Sequence, residues 1–380
     1  MKRTLRWVLV LSLVVFAHAQ IDPQIPAPVR PPVVADPLEE AQKEEVRNIQ
    51  NQIQARERRR ARNRNLDWSI VWFSDQHPTP AGAPWMATAS GPPGTSQYAL
   101  SKAAAWNTKA YFFTGDTNND GPIGFYNHGW NNIVATGLPT AASPGNHDCN
   151  IEDGYCVSRL ASNFDEYVGY SQSSGKAWGP VQAFSGVGND IGAYNDVDLK
   201  SHSNYAIRFS VNGHKFLVIA LEVFPRFSVM TWAANLCAVY RDHQVIYLTH
   251  GYIHYLNRPC VSSDTYCGGR GSTGNGAYNV FPSSGQELYD NLIKLQPNSF
   301  LTVSGHFPDP IPRVYGHYFS KGTHGNDIYA FYEDYQSYLL HNDAVVRISF
   351  HEHSKTFDVI IMSAQTDTVY TSWMNLPWPQ

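Results

Sequence analysis

The chain has 380 residues, 43% of them apolar and 16% charged, enough apolar material for a substantial core and too little charge for a wholly disordered polymer. A formal net charge of −4 offers no overall field that would attract nucleic acid, so nucleic-acid binding is not expected. The five cysteines form no CxxC and have no interleaved histidine spacing, which argues against a structural zinc site.

Residues 1–19 open the chain with Lys2, Arg3 and Arg6 ahead of an apolar run that ends in Ala17-His18-Ala19, a small-x-small cleavage pattern. The run is about half the ~20 residues a spanning helix needs, so an export signal is expected, with no membrane span after its removal. The protein is therefore expected to be secreted, or periplasmic in a bacterium. Residues 20–65 read as a linker or spacer. "QIDPQIPAPVRPPVVADP" is proline-dense, and "LEEAQKEEVRNIQNQIQARERRRARNRN" runs from acidic to basic with apolar positions too sparse for a core-facing stripe.

Residues 66–380 read as one catalytic domain. β-rich runs predict strands at 68–73, 110–113, 204–211, 215–222, 244–249, 300–304, 345–350 and 356–362. "SQYALSKAAAW" (96–106) and "GQELYDNLIKL" (285–295) carry apolar residues at helical spacing. This texture predicts an α/β class. In an exported chain, Cys149 with Cys156 and Cys260 with Cys267, each pair with six residues between its partners, are expected to staple local loops, which leaves Cys237 as an inert core thiol.

Several expected strands end in metal-ligand residue types. Asp75-Gln76-His77 follows the first, Gly115-Asp116 the second, His250 follows "QVIYLT", and Gly305-His306 follows "FLTVS"; between them lies Gly145-Asn146-His147-Asp148. A single His or Gly-Asp at a strand end is commonly an ordinary turn. An ordered series is not, because loops at the carboxyl ends of strands converge in the crevice of an α/β sheet. Mixed oxygen and nitrogen donors suit Zn, Mn or Fe, in a catalytic site with open positions.

In that order, from Asp75 to His306, the motifs resemble the calcineurin-like metallophosphoesterase superfamily. More loosely, "GNDIYAFYEDYQSY" (325–338) and the "AVVRISFHEHSKTFDVIIMSAQTD" after it are similar to the C-terminal part of its exported branch. The resemblance implies a four-layer α-β-β-α sandwich of two mixed sheets, with two divalent ions about 3.5–4 Å apart at strand C-terminal ends. It implies a secreted metal-dependent phosphoric ester hydrolase whose substrate is a phosphate mono- or diester. Asp75 and His77 would hold the first ion and Asp116 bridge both, while Asn146, His250 and His306 complete the second. A hydroxide shared by the ions would attack phosphorus in line. His147 would protonate the leaving alkoxide, its pKa raised by Asp148.

One departure stands out. The superfamily commonly ends with Gly-His-x-His, its last His on the first ion, whereas this chain reads Gly305-His306-Phe307-Pro308-Asp309. Three outcomes stay open: a first ion completed by water, substitution by Asp309 or His254, or a weak or empty first site. The same departure motivates an alternative function, a secreted binding or structural protein that kept the fold and lost catalysis.

Overall fold

The computed structural model describes residues 44, 47–53, 55, 67–76, 94–117, 129–148, 150–152, 155–158, 164, 168, 180–184, 204–268, 281–307, 315–334 and 343–379. The proposed signal, almost all of the proline-dense and charged segment, His77, Cys149 and Asp309 lie outside them. Met1–Glu44 and Glu45–Gln380 are distinct units, and the sheets, the core and the strand-end residues all belong to the second.

Its elements, in chain order, are β1 (Trp68–Phe73), α1 (Thr95–Trp106), β2 (Thr108–Thr114), α2 (Asn131–Val134), β3 (Thr140–Ser143), β4 (Asn150–Glu152), β5 (Tyr155–Ser158), β6 (Pro180–Ala183), β7 (Tyr205–Val211) and β8 (His214–Ala220). Next come α3 (Phe227–Val239), β9 (Gln244–Gly251), β10 (Ile253–His254), β11 (Arg258–Pro259), α4 (Gly285–Asn291), β12 (Ser299–Gly305), β13 (Tyr315–Lys321), β14 (Asp327–Glu333), β15 (Ala344–His351), β16 (Thr356–Ser363) and β17 (Val369–Pro377).

A six-stranded sheet has the order β17-β16-β15-β1-β2-β3 and a seven-stranded sheet the order β13-β14-β12-β9-β8-β7-β6. Both are mixed. β1, β2 and β3 run parallel in the first, and β8, β9, β12 and β14 in the second, with antiparallel strands at the flanks.

Side-chain alternation builds the layers. In β1, Trp68, Ile70 and Trp72 enter the core between the sheets, while Val71 and Phe73 face the opposite way onto α1 and α2 residues such as Tyr98, Ala99 and Ile133. In β9, Ile246 and Leu248 face the inter-sheet core, while Val245 and Tyr247 pack with Val229, Met230, Ala233 and Leu236 of α3 and Leu288 of α4. Both strands are covered on both faces, which is why they read as continuous apolar runs. The result is the expected four-layer α-β-β-α sandwich.

All the expected strands are present to within about two residues, the precision of element boundaries. The helix expected over 285–295 stops at Asn291 and passes into a 3₁₀ turn, Ile293–Leu295. Its start is defined by a capping box: the Ser284 hydroxyl accepts from the Glu287 amide at 3.2 Å, and the Glu287 carboxylate accepts from the Ser284 amide at 2.8 Å. α3 was not expected. Its "FSVMTWAANLCAV" is apolar all round, so no one-sided stripe marks it, yet Val229, Met230, Ala233, Leu236 and Cys237 share the buried face.

Residues 47–53 are helical, and Ile53 is buried in the cluster outside β1 and β2, with Ile49 packed against it. One isoleucine pair at i, i+4 spacing suffices to dock a turn of otherwise polar helix. Cys260 and Cys267 form a disulfide, and Cys237 is a buried free thiol whose pKa burial pushes up to about 11. No helix among the described residues is long and apolar enough to cross a membrane.

Candidate functional site

The carboxyl ends of β1, β2, β9 and β12 carry Asp75, Asp116, His250 and His306. Asp75, Asp116 and His306 adopt positive φ (49°, 49° and 82°), a region that costs a non-glycine residue about 1–3 kcal/mol and is concentrated at functional sites. The polypeptide turns sharply there, directing side chains back across the strand ends.

One ligand atom from each of Asp75, Asp116 and His250, all buried, falls within 4.8 Å of the others. His250 donates Nδ1–H to the Thr114 carbonyl at 2.6 Å, which aims Nε2 into the group. That Nε2 lies 3.1 Å from Asp116 Oδ2 and 3.8 Å from Asp75 Oδ1. Neither His250 Nε2 nor Asp75 Oδ1 has a hydrogen-bond partner. The neighbouring glycines make room: a Cβ on Gly305 would lie 2.0 Å from Asp75 Oδ2, and one on Gly145 would lie 2.1 Å from Asp116 Oδ1.

Two carboxylates buried together disfavour their own ionisation. Burial lifts the Asp75 carboxyl well above the ordinary range, and the charges of Asp334 and then Asp116 lift it further against the opposing His250. Burial works against charge on His250 as well, but Asp116 and Asp75 outweigh it and hold its pKa at about 10. Oxygen donors, an imidazole nitrogen and orphaned buried ligand atoms fit a divalent ion.

The Gly145–Asp148 turn leans on Asp116. The His147 amide donates to Asp116 Oδ1 at 2.9 Å, and the His147 ring, 34% exposed, holds Nε2 at 3.9 Å from Asp116 Oδ2. Asn146 sits beside it, half-buried. Asp148 faces its own loop: its carboxylate accepts from the Gly145 amide (2.8 Å), the Thr117 amide (3.0 Å) and the Thr117 hydroxyl (2.6 Å). These bonds bind the turn after β3 to the loop after β2. Burial, then Asp116, raises the Asp148 carboxyl pKa.

His306 lies beside the group, its ring centroid 4.9 Å from that of His250, but is not one of the three residues whose ligand atoms come together. Its amide donates to Asp75 Oδ2 at 3.2 Å, and its Nε2–H donates to the Tyr266 carbonyl at 2.8 Å, leaving Nδ1 as the lone-pair nitrogen. Burial and the charge on His250 drive its pKa down to about 3, so the ring is neutral. Tyr266 belongs to the loop closed by Cys260–Cys267, and that disulfide packs with Phe224 and Phe307, which also flank the His306 ring.

His254 is not brought into the group. It stacks on Tyr255, with Phe307 at its edge, and its Nδ1 accepts from the Leu256 amide at 3.4 Å. A carboxylate without a place in the motif series also acts on Asp75: the charge of Asp334, wholly buried immediately after β14, helps to raise the Asp75 pKa, but Asp334 is not among the three residues whose ligand atoms come together. "IYAFYED" carries the same signal as the other strand ends, an apolar run followed by an acid.

No family model matches the chain, and no curated protein matches it. Among solved structures, it is similar to purple acid phosphatase PPD1 from yellow lupin (Lupinus luteus) seeds, at 12% identity and a TM-score of 0.42 over 81% of this chain and 53% of that one. The chain thus spans about half the length of the lupin enzyme. It is also similar to GAP50, the anchor in the inner membrane complex of Plasmodium, at 10% identity and a TM-score of 0.41 over 83% of this chain and 90% of that one.

Proposed function

We propose that the chain is an exported, metal-dependent phosphoric ester hydrolase acting on phosphate mono- or diesters. One observation carries this reading: Asp75 Oδ1 and His250 Nε2 are ligand atoms buried beside Asp116 with no hydrogen-bond partner. A burial that costly is offset when a cation takes the place of the missing partners.

Asp75 and His77 would hold a first ion, Asp116 would lie between two, and Asn146, His250 and His306 would hold a second. Divalent ions there would acidify water and neutralise charge on the phosphoryl oxygens. Thr114 engages Nδ1 of His250 and Tyr266 engages Nε2 of His306, so Nε2 of the first and Nδ1 of the second are the nitrogens left to face an ion. Asp148 holds the turn in register by bonding to Thr117 and Gly145. His147, which alone of the motif histidines in the described residues is substantially solvent-exposed, serves as general acid toward the leaving group.

The test is hydrolysis of aryl phosphate mono- and diesters by the Mn- or Zn-loaded protein. His147→Ala should slow substrates with poor leaving groups most, by about 10²–10⁴-fold. Equal slowing of all substrates would remove its role as the acid. A second reading, a protein that retains the fold without catalysis, is favoured by Pro308 in place of the last histidine. Fewer than one ion per chain, together with no hydrolysis, would establish that reading over the first.

A further inference from the structure

β1 ends at Phe73, and the two residues after it, Ser74 and Asp75, are both buried. Consecutive side chains of an extended strand point to opposite faces, but Asp75 has φ 49°, and that turn brings its carboxylate back to Ser74. The Asp75 amide donates to the Gly115 carbonyl at 3.2 Å, which ties the turn to the end of β2. The carboxylate is then held asymmetrically. Its Oδ2 accepts from the Ser74 hydroxyl at 2.6 Å and from the His306 amide at 3.2 Å. Its Oδ1, 3.8 Å from His250 Nε2, has no hydrogen-bond partner.

A serine hydroxyl has one proton to donate. The Thr114 carbonyl, 3.4 Å from Ser74 Oγ, is a second acceptor within reach, and the much shorter contact to Asp75 Oδ2 claims the proton. The hydroxyl is confined there. A Cβ on Gly305 would lie 1.9 Å from Ser74 Oγ, so β12 of the other sheet packs directly onto it. Behind it, Gln76 Nε2 donates to the Ser74 carbonyl at 2.9 Å, and Gln76 Oε1 accepts from the Thr95 hydroxyl at the start of α1 at 2.6 Å. We propose that Ser74 is a positioning residue of the metal site, holding Oδ2 so that Asp75 meets an ion through Oδ1 alone. The assignment rests on the metal site of the proposed function and adds a selectivity to it. Ca takes about 6–8 oxygens and accepts both oxygens of a carboxylate, so an aspartate restricted to one oxygen favours Mn over Ca.

The experiment is titration of the full chain with Mn alone and with Ca alone. Ser74→Ala should bind Mn more weakly by roughly 10–100-fold, as for loss of an outer-sphere partner, while Ca binding weakens less or strengthens, so that the Mn-to-Ca affinity ratio falls. Ser74→Cys keeps the shape with a weak S–H donor and should fall between the two; it carries the same test if Ser74→Ala does not fold. Infrared difference spectra of Mn-loaded against metal-free protein should show the wide carboxylate splitting of one-oxygen binding in wild type and a narrowed component in Ser74→Ala. Wild-type Mn affinity in Ser74→Ala would overturn the assignment, and so would Mn and Ca weakened in equal proportion, which marks a general loosening. A wild type that binds no Mn would remove the metal site and the assignment together. One that binds Mn yet hydrolyses no ester counts against the hydrolase alone, and the Ser74→Ala ratio still decides the role of Ser74.

Discussion

The buried Asp148 carboxylate tests whether the Gly145–Asp148 turn is held as the structure has it. It accepts from three donors, the Gly145 amide and both the amide and hydroxyl of Thr117. Asparagine retains one acceptor oxygen. Turned toward Thr117, it keeps those two bonds in weaker, uncharged form and sets its own NH₂ against the Gly145 N–H. A buried donor left unsatisfied costs about 1–3 kcal/mol, and relief of the repulsion from Asp116 returns part of this, so Asp148→Asn should destabilise the metal-free protein by about 2 kcal/mol. Asp148→Ala orphans all three donors and should cost about 4 kcal/mol on the same scale. Because the turn carries Asn146 and His147, Mn affinity should fall by about 10–100-fold in the asparagine variant, as for loss of an outer-sphere partner. Urea unfolding in EDTA measures the first quantity and Mn titration the second. An asparagine variant with the wild-type midpoint and wild-type Mn affinity would refute the clamp.

Stability should also depend on pH in a way that metal abolishes. The folded, metal-free protein holds His250 at about 10 against an ordinary 6.5, so the stability this histidine contributes is full below pH 6.5 and is lost as pH rises to about 10. Asp75 and Asp148, both raised, act in the same direction at lower pH, where the folded state keeps protons that the unfolded chain has released. Thermal unfolding in EDTA should therefore show a midpoint that falls across pH 6.5–10, and saturating Mn should flatten the slope. Gly305→Ala would place a methyl group 2.0 Å from Asp75 Oδ2 and 1.9 Å from Ser74 Oγ, so metal titration should show weakened binding while circular dichroism keeps its wild-type form. Cys260→Ser with Cys267→Ser opens the small loop, costing about 2–3 kcal/mol by chain entropy, and frees the Tyr266 carbonyl from the His306 ring. Weaker metal binding in the double variant, matched by treatment of wild type with a reductant, is the expected result.

The strands of the two central layers could be read from the chain because runs such as "WSIVWF" and "QVIYLT" are apolar throughout and bounded by polar turns. Asp75, Asp116 and His250 could be read for a related reason: each stands where an apolar run stops, and strands whose carboxyl ends lie together bring such residues together. α3 was hidden because its apolar residues surround the helix, and only packing against the sheet selects a buried face. The direction of Asp148 was hidden as well. Its position after His147 suits a partner for that imidazole, but the Thr117 and Gly145 donors claim its carboxylate once β2 and β3 lie side by side.

By itself the sequence determined which residue types stand at the strand ends and that the last histidine of Gly-His-x-His is absent, because local pattern and chemistry are written along the chain. Only the tertiary structure decided which of those residues come together. Asp116 and His250 are 134 residues apart in the chain (250 − 116), and no local rule relates the two; the ends of β2 and β9, strands of different sheets, bring them within 3.1 Å beside Asp75, because sheet packing, not sequence distance, sets which side chains meet.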